Sequence, residues 1–141
     1  MKITSRFTVA IHTLLAVHTL GKEHKTTSEF LATSVNVNPV IIRRTLQSLK
    51  AAGIIEVRAG SGGARISKDL KDISLYDVYL AMDCMEGGLF HFHENPNPSC
   101  PVGKNIHAVL DKRLLLAQTA MENELKKTTL ADLTDELETL V

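Results

Sequence analysis

The segment NPVIIRRTLQSLKAAG, residues 38–53, constrains the fold more than any other stretch of this chain. Asn38 is a helix-capping residue, and Pro39 suits the first helical position, where its missing N–H would have no partner in any case. Gly53 supplies a stop. Between them Ile42, Leu46 and Leu49 recur at i, i+4 and i+7, forming one apolar stripe that has to be buried. Arg43, Gln47 and Lys50 repeat that spacing one residue later, with Arg44 alongside. The pattern predicts a short helix that packs on one side and presents cationic and amide groups on the other.

The flanking sequence supplies partners for that stripe. A first helix, about residues 6–20, carries Phe7, Ala10, Ile11, Leu14 and Val17 on one face and ends at Gly21. A second, short helix opens at Thr26 with Glu29 as a capping box and runs through Phe30, Leu31 and Val35, and residues 36–38 make the turn. After Gly53, Ile54 to Arg58 alternates weakly as a strand, AGSGGA provides a turn, and Arg65 with Ile66 begins a return strand. Ser74 with Asp77 caps a fourth helix to about Cys84. Residues 89–103 read as a loop, and a long helix follows from about Asn105 to Lys126. Ile106, Val109, Leu110, Leu114, Ala117, Ala120, Met121 and Leu125 recur along it at three-four spacing. Thr129 with Asp132 caps a final amphipathic helix.

The expected fold class is therefore mainly α with a small β-hairpin: a winged helix-turn-helix followed by a long C-terminal dimerisation helix. Residues 1–71 form the DNA-binding region, 72–104 a connecting helix and sensor-type loop, and 105–141 the dimerisation and terminal helices. The Leu114-Leu115-Leu116 run puts apolar surface on more than one side of the long helix, which points to a homodimer.

Charge distribution agrees with this division. The formal net charge of zero conceals two opposed halves. Residues 1–71 hold eleven Lys and Arg against four Asp and Glu, whereas residues 72–141 hold five against twelve. A basic front half is the electrostatic signature of a polyanion partner. A DNA major groove admits one helix, and that helix must carry hydrogen-bond donors at its exposed front. Arg43, Arg44 and Gln47 meet this demand, with Asn38, Pro39 and Val40 at the leading end. Arg58 and Arg65 flank a wing tip in which Ser61 and Gly62 let the backbone approach phosphates or a minor groove. Arg6, Thr27 and Ser28 would hold phosphates. An arginine pair alone is more often a solvated helix face than a reader of bases, and GSGG alone is usually an ordinary turn; their conjunction with a capped turn and a basic half argues for double-stranded DNA as the partner.

Other classes find little in the sequence. The apolar run after Lys2 and Arg6 is interrupted by His12, Thr13, His18 and Thr19, so a secretory signal is not expected. No stretch reaches the length of a membrane span. The two cysteines, Cys84 and Cys100, form no CxxC pair, in keeping with free thiols in a cytoplasmic protein. The glycine-rich turn lacks the Lys-Ser/Thr of a phosphate-binding loop, and no Ser/His/Asp constellation or paired carboxylates suggest an enzyme.

Four stretches, MKITSRFTVAIHTLLAV, NVNPVIIRRTLQSLKAAGII, VRAGSGGARISKDLKDISLYDVY and CPVGKNI, appear in an order that resembles the Rrf-two superfamily of bacterial winged-helix transcription factors, the group of the IscR, NsrR and CymR regulators. The resemblance spans nearly the whole chain. It implies a homodimer on a roughly palindromic operator, with the long helix as the dimer seam, and a repressor is the expected role. Cluster-binding members carry three cysteines ahead of that helix. This chain has one there, Cys100, so no metal or cofactor is expected. A thiol switch at Cys100, favoured by a nearby Lys104, is the leading expectation for signal input. The alternatives are an unreactive Cys100 that packs the loop against the long helix, with Cys84 buried in helix packing; a metal or iron–sulfur sensor using His91, His93, Cys100, and Cys84 or His107; and a winged-helix module that binds an acidic protein.

Overall fold

In the computed structural model, the described residues are 4–58, 63–82, 89–90 and 92–141. The Thr4 hydroxyl caps helix α1 (Ser5–Leu20), which lays Phe7, Ala10, Leu14 and Val17 into the core. Helix α2 (Ser28–Val35) ends at Asn36, whose φ of 62° reverses the chain in the left-handed region that Asn tolerates. Asn38 then caps helix α3 (Pro39–Ala51), its side chain accepting from the Val40 N–H at 2.9 Å, with Pro39 opening the helix. Ile42, Leu46 and Leu49 are buried as the stripe requires.

The start of α2 differs from the sequence expectation. Thr27, not Thr26, is the cap, its hydroxyl accepting from the Phe30 N–H at 3.2 Å. Thr26 is instead buried and paired with the hairpin: it forms a parallel bridge with Gly63, accepts from the Ala64 N–H at 3.0 Å and donates its hydroxyl to the Ala64 carbonyl. A threonine pair offers two candidate caps, and the hairpin, distant in sequence, decides which one is used.

Strands β1 (Ile55–Arg58) and β2 (Gly63–Ile66) form the antiparallel wing, in register Ile55–Ile66, Glu56–Arg65, Val57–Ala64 and Arg58–Gly63. A single 3-10 turn (Leu70–Asp72) leads to helix α4 (Leu75–Ala81), which a reciprocal Ser74–Asp77 capping box opens. The expected extension of α4 to Cys84 lies outside the described residues.

Helix α5 (Pro101–Lys126) begins four residues earlier than its apolar periodicity suggests, because Cys100 takes the cap position and Pro101 the first helical position. None of its residues is buried. Lys126 lies over the Tyr76 ring at 4.6 Å, and Gln118 accepts from the Leu89 N–H at 3.0 Å. Helix α6 (Leu130–Glu138), opened by a Thr129–Asp132 box, returns to the N-terminal core. Its fully buried Leu130 joins Phe7, Ile73 and Tyr79 there. Hydrogen bonds from the Leu75 N–H to the Thr128 carbonyl (2.9 Å) and from the Leu130 N–H to the Ile73 carbonyl (2.8 Å) pin that return.

Candidate nucleic-acid interface

With one face of α3 sunk in the core, its polar face is displayed, and Arg43, Arg44, Gln47 and Lys50 are all exposed. They do not act as one patch. Arg43, Gln47 and Lys50 share a groove of about 330 Å³ with Thr27 and Ser28 of the α2 start and with Val57, Arg58 and Gly63 of the wing. Arg44 turns the other way, into a groove of about 280 Å³ with Arg6, Val37 and Ser48. Consecutive helical residues project about 100° apart, so adjacent arginines serve different sides of the helix.

The wing stands beside this groove because Gly63 allows it to. Gly63 has a φ of 69°, and a Cβ there would lie 2.7 Å from the Thr26 carbonyl carbon and oxygen. The hairpin is thereby held against the start of α2. Arg58 lines both the α3 groove and a groove of about 370 Å³ on the outer side of the wing, shared with His18, Lys22, His24 and Arg65. Arg65 is engaged across the strands by Glu56 at 3.1 Å. Ser61 and Gly62 lie outside the described residues. Asn38 and Pro39 open α3, and Val40 is exposed in its first turn.

Glu29 is the residue that sequence reasoning assigned elsewhere. Instead of closing a capping box it accepts from Arg43 Nη1 at 3.1 Å, and the same nitrogen reaches Ser28 Oγ at 3.5 Å. Its own backbone N–H, the Ser28 hydroxyl and then the Arg43 guanidinium hold its carboxyl below the usual carboxylate range. Glu29 and Arg43 lie on different helices, and no local pattern could have paired them.

At the other end of the molecule, Cys100 is half-buried at the start of α5. No side-chain hydrogen bond closes the cap, yet the backbone N–H groups of Gly103 and then Val102 draw the thiol pKa below its ordinary value. The cause is these amides and not the Lys104 ammonium that the sequence suggested. Of the other candidate ligands, His93 and His107 stack on Phe92, at 4.8 and 3.8 Å between ring centroids, and His107 Nδ1 lies 3.1 Å from the Asp111 carboxylate. His91 and Cys84 lie outside the described residues. Among the described residues no three His, Cys, Asp or Glu side chains converge as a metal site.

Three helices, a two-stranded wing and a polar groove between α3 and the wing define a winged helix-turn-helix of the DNA-binding regulator class. The chain belongs to the Rrf2 family: residues 3–136 match the family model described as an iron-dependent transcriptional regulator. It is 49% identical over 135 residues to YwnA of Bacillus subtilis (strain 168), named as an HTH-type transcriptional regulator; the match covers 96% of this chain and 98% of that one. A solved structure described as a DNA-binding protein is 44% identical, with a TM-score of 0.72 over 92% of this chain and 98% of its own. CymR, the global cysteine regulator of B. subtilis, has the same fold at 16% identity, with a TM-score of 0.69 over 96% of this chain and 97% of its own. Rrf2 proteins are DNA-binding transcriptional regulators and not enzymes. No helix among the described residues is long and apolar enough to cross a membrane.

The family description implies iron, and the donor set here does not fit a cysteine-ligated cluster. The whole chain has two cysteines, fewer than the thiolates that hold such a cluster, and among the described residues no three His, Cys, Asp or Glu side chains converge.

Proposed function

We propose that this protein is a cytoplasmic, homodimeric repressor that binds a two-fold symmetric operator, α3 of each copy entering a major groove. The observation that carries this reading is the shared groove of Arg43, Gln47 and Lys50 with the α2 start and Arg58. It brings base-reading donors, a helix N-terminus suited to phosphate and a wing cation onto one surface. Arg43 and Gln47 read bases; Thr27, Ser28 and Lys50 hold the backbone beside them. Arg6 and Arg44 hold a phosphate on the opposite flank of α3, and Arg58, Arg65, Ser61 and Gly62 guide the wing along the duplex. Homodimerisation is supported by Val102, Val109 and Leu116, which recur every seven residues on α5 at 70%, 60% and 64% exposure. They form a stripe about 21 Å long that no described residue covers.

Cys100 is the input in this proposal. A half-exposed thiol with lowered pKa at the head of the dimer helix is placed to oxidise and to disturb the seam.

The test is selection of duplexes from a random pool by the purified protein, reduced and oxidised. A defined, roughly palindromic sequence should be enriched, and no enrichment overturns the reading. Arg43→Ala should reduce operator affinity by about 1–3 kcal/mol per half-site while leaving non-specific binding nearly intact. Equal losses on both remove its base-reading role. Cys100→Ser should abolish any oxidant response, and a variant that responds like the wild type refutes the switch.

A further inference from the structure

Among the described residues, the surface assigned to DNA carries two carboxylates paired with its arginines, Glu56 with Arg65 on the wing and Glu29 with Arg43 beside α3, and the second lies where a phosphate would sit. Glu29 lies in the first turn of α2, beside the amides of Thr27 and Ser28 where a phosphate would sit, and both partners of its 3.1 Å contact with Arg43 are largely solvent-exposed. A carboxylate in that place repels the polyanion. An exposed ion pair contributes too little to stability to explain it.

The contact geometry suggests what it does instead. Glu29 engages Nη1 of Arg43, and Ser28 Oγ approaches the same nitrogen. Among the described residues that leaves the Nε and Nη2 edge of the guanidinium open, and this side-on pair of parallel N–H groups matches the O6 and N7 acceptors of guanine. An arginine on a flexible stem near a duplex otherwise pairs with the closest phosphate, which carries no sequence information. Resting on the DNA-binding reading above, we propose that Glu29 is a specificity-determining positioning residue. It tethers Arg43 by one nitrogen so that its free edge meets a guanine and not a phosphate, and its own charge weakens binding wherever that guanine is missing.

Glu29→Gln therefore moves two quantities in opposite directions. On a scrambled duplex, loss of the carboxylate and release of Arg43 to the backbone raise affinity about fivefold per half-site. The plot of log K against log salt steepens by about 0.9 per protomer, the signature of one added phosphate contact. On the duplex selected by the wild-type protein, the ratio of operator to scrambled affinity falls by at least about fivefold, through loss of discrimination at one base pair per half-site. Glu29→Asp, which keeps the charge but shortens the reach, gives an intermediate ratio. In an Arg43→Ala background, Glu29→Gln still raises scrambled-duplex affinity but no longer changes discrimination at that base pair.

The experiment measures these affinities by fluorescence anisotropy over a salt series, with circular dichroism confirming that each variant is folded. An unchanged operator-to-scrambled ratio in Glu29→Gln overturns the proposal, as does a change in that ratio that persists without Arg43. If the wild-type protein enriches no duplex at all, it is the DNA-binding reading that fails, and the two failures are distinct.

Discussion

Single residues decide how the interface is held. Gly63 is one, since its positive φ and its approach to the Thr26 backbone leave no room for a side chain. Gly63→Ala should destabilise the protein by about 2 kcal/mol or more, seen as a lower urea midpoint, because backbone strain and a backbone clash act together. Cys100 is another. Amide N–H groups favour its thiolate, so in a Cys84→Ser background the pH midpoint for alkylation by iodoacetamide should lie below that of a free cysteine peptide. A midpoint at or above the peptide's refutes an activated thiol. Glu29 titrates in the opposite stability sense from a histidine or lysine that gains a partner. Its folded pKa is depressed, so its small contribution is present above the unfolded carboxylate value and lost as pH falls through the folded one. Little of this was visible in the sequence. Asn38 and Pro39 announced themselves because capping is a local rule, while the partners of Thr26, Glu29 and Gly63 come from other elements, and residue type alone does not reveal a contact between elements.

Elements were far more legible. The period of Ile42, Leu46 and Leu49 fixed which side of α3 is buried, and therefore which side is free, and the Ser74–Asp77 and Thr129–Asp132 boxes marked two helix starts correctly. The misplaced starts, of α2 and of α5, share a cause. Each has two plausible openings, and the choice follows from packing: the wing claims Thr26, and Pro101 extends α5 ahead of its apolar pattern. What periodicity could not reveal is where α6 goes. Its Leu130 is fully buried against α1 and the 3-10 turn region, so α6 is part of the core that supports the winged helix-turn-helix. Leu130→Ala should cost about 2–5 kcal/mol, measured as a shift in denaturant midpoint with unchanged slope. A loss below about 1 kcal/mol would show that the site collapses around the gap.

At the scale of the whole molecule, a basic head and an acidic, apolar-striped back are joined in one chain. If α5 is the seam, Leu116→Glu should yield a monomer by sedimentation equilibrium, with operator affinity reduced by orders of magnitude because each half-site then binds alone. A variant that remains dimeric places the seam elsewhere. The two backbone hydrogen bonds that clip Thr128 and Leu130 to Ile73 and Leu75 matter here in a different way. They fasten the far end of α5 directly to the strand-like segment between wing and α4, while Thr26 fastens the wing to α2. Along this route α5 and α3 are linked through backbone hydrogen bonds among the described residues, so in the proposed dimer each head would follow its own α5 as a jaw follows its handle. In such a caliper a chemical signal at the head of α5 would reach DNA as a change of span between the two jaws, not as a change in grip of either.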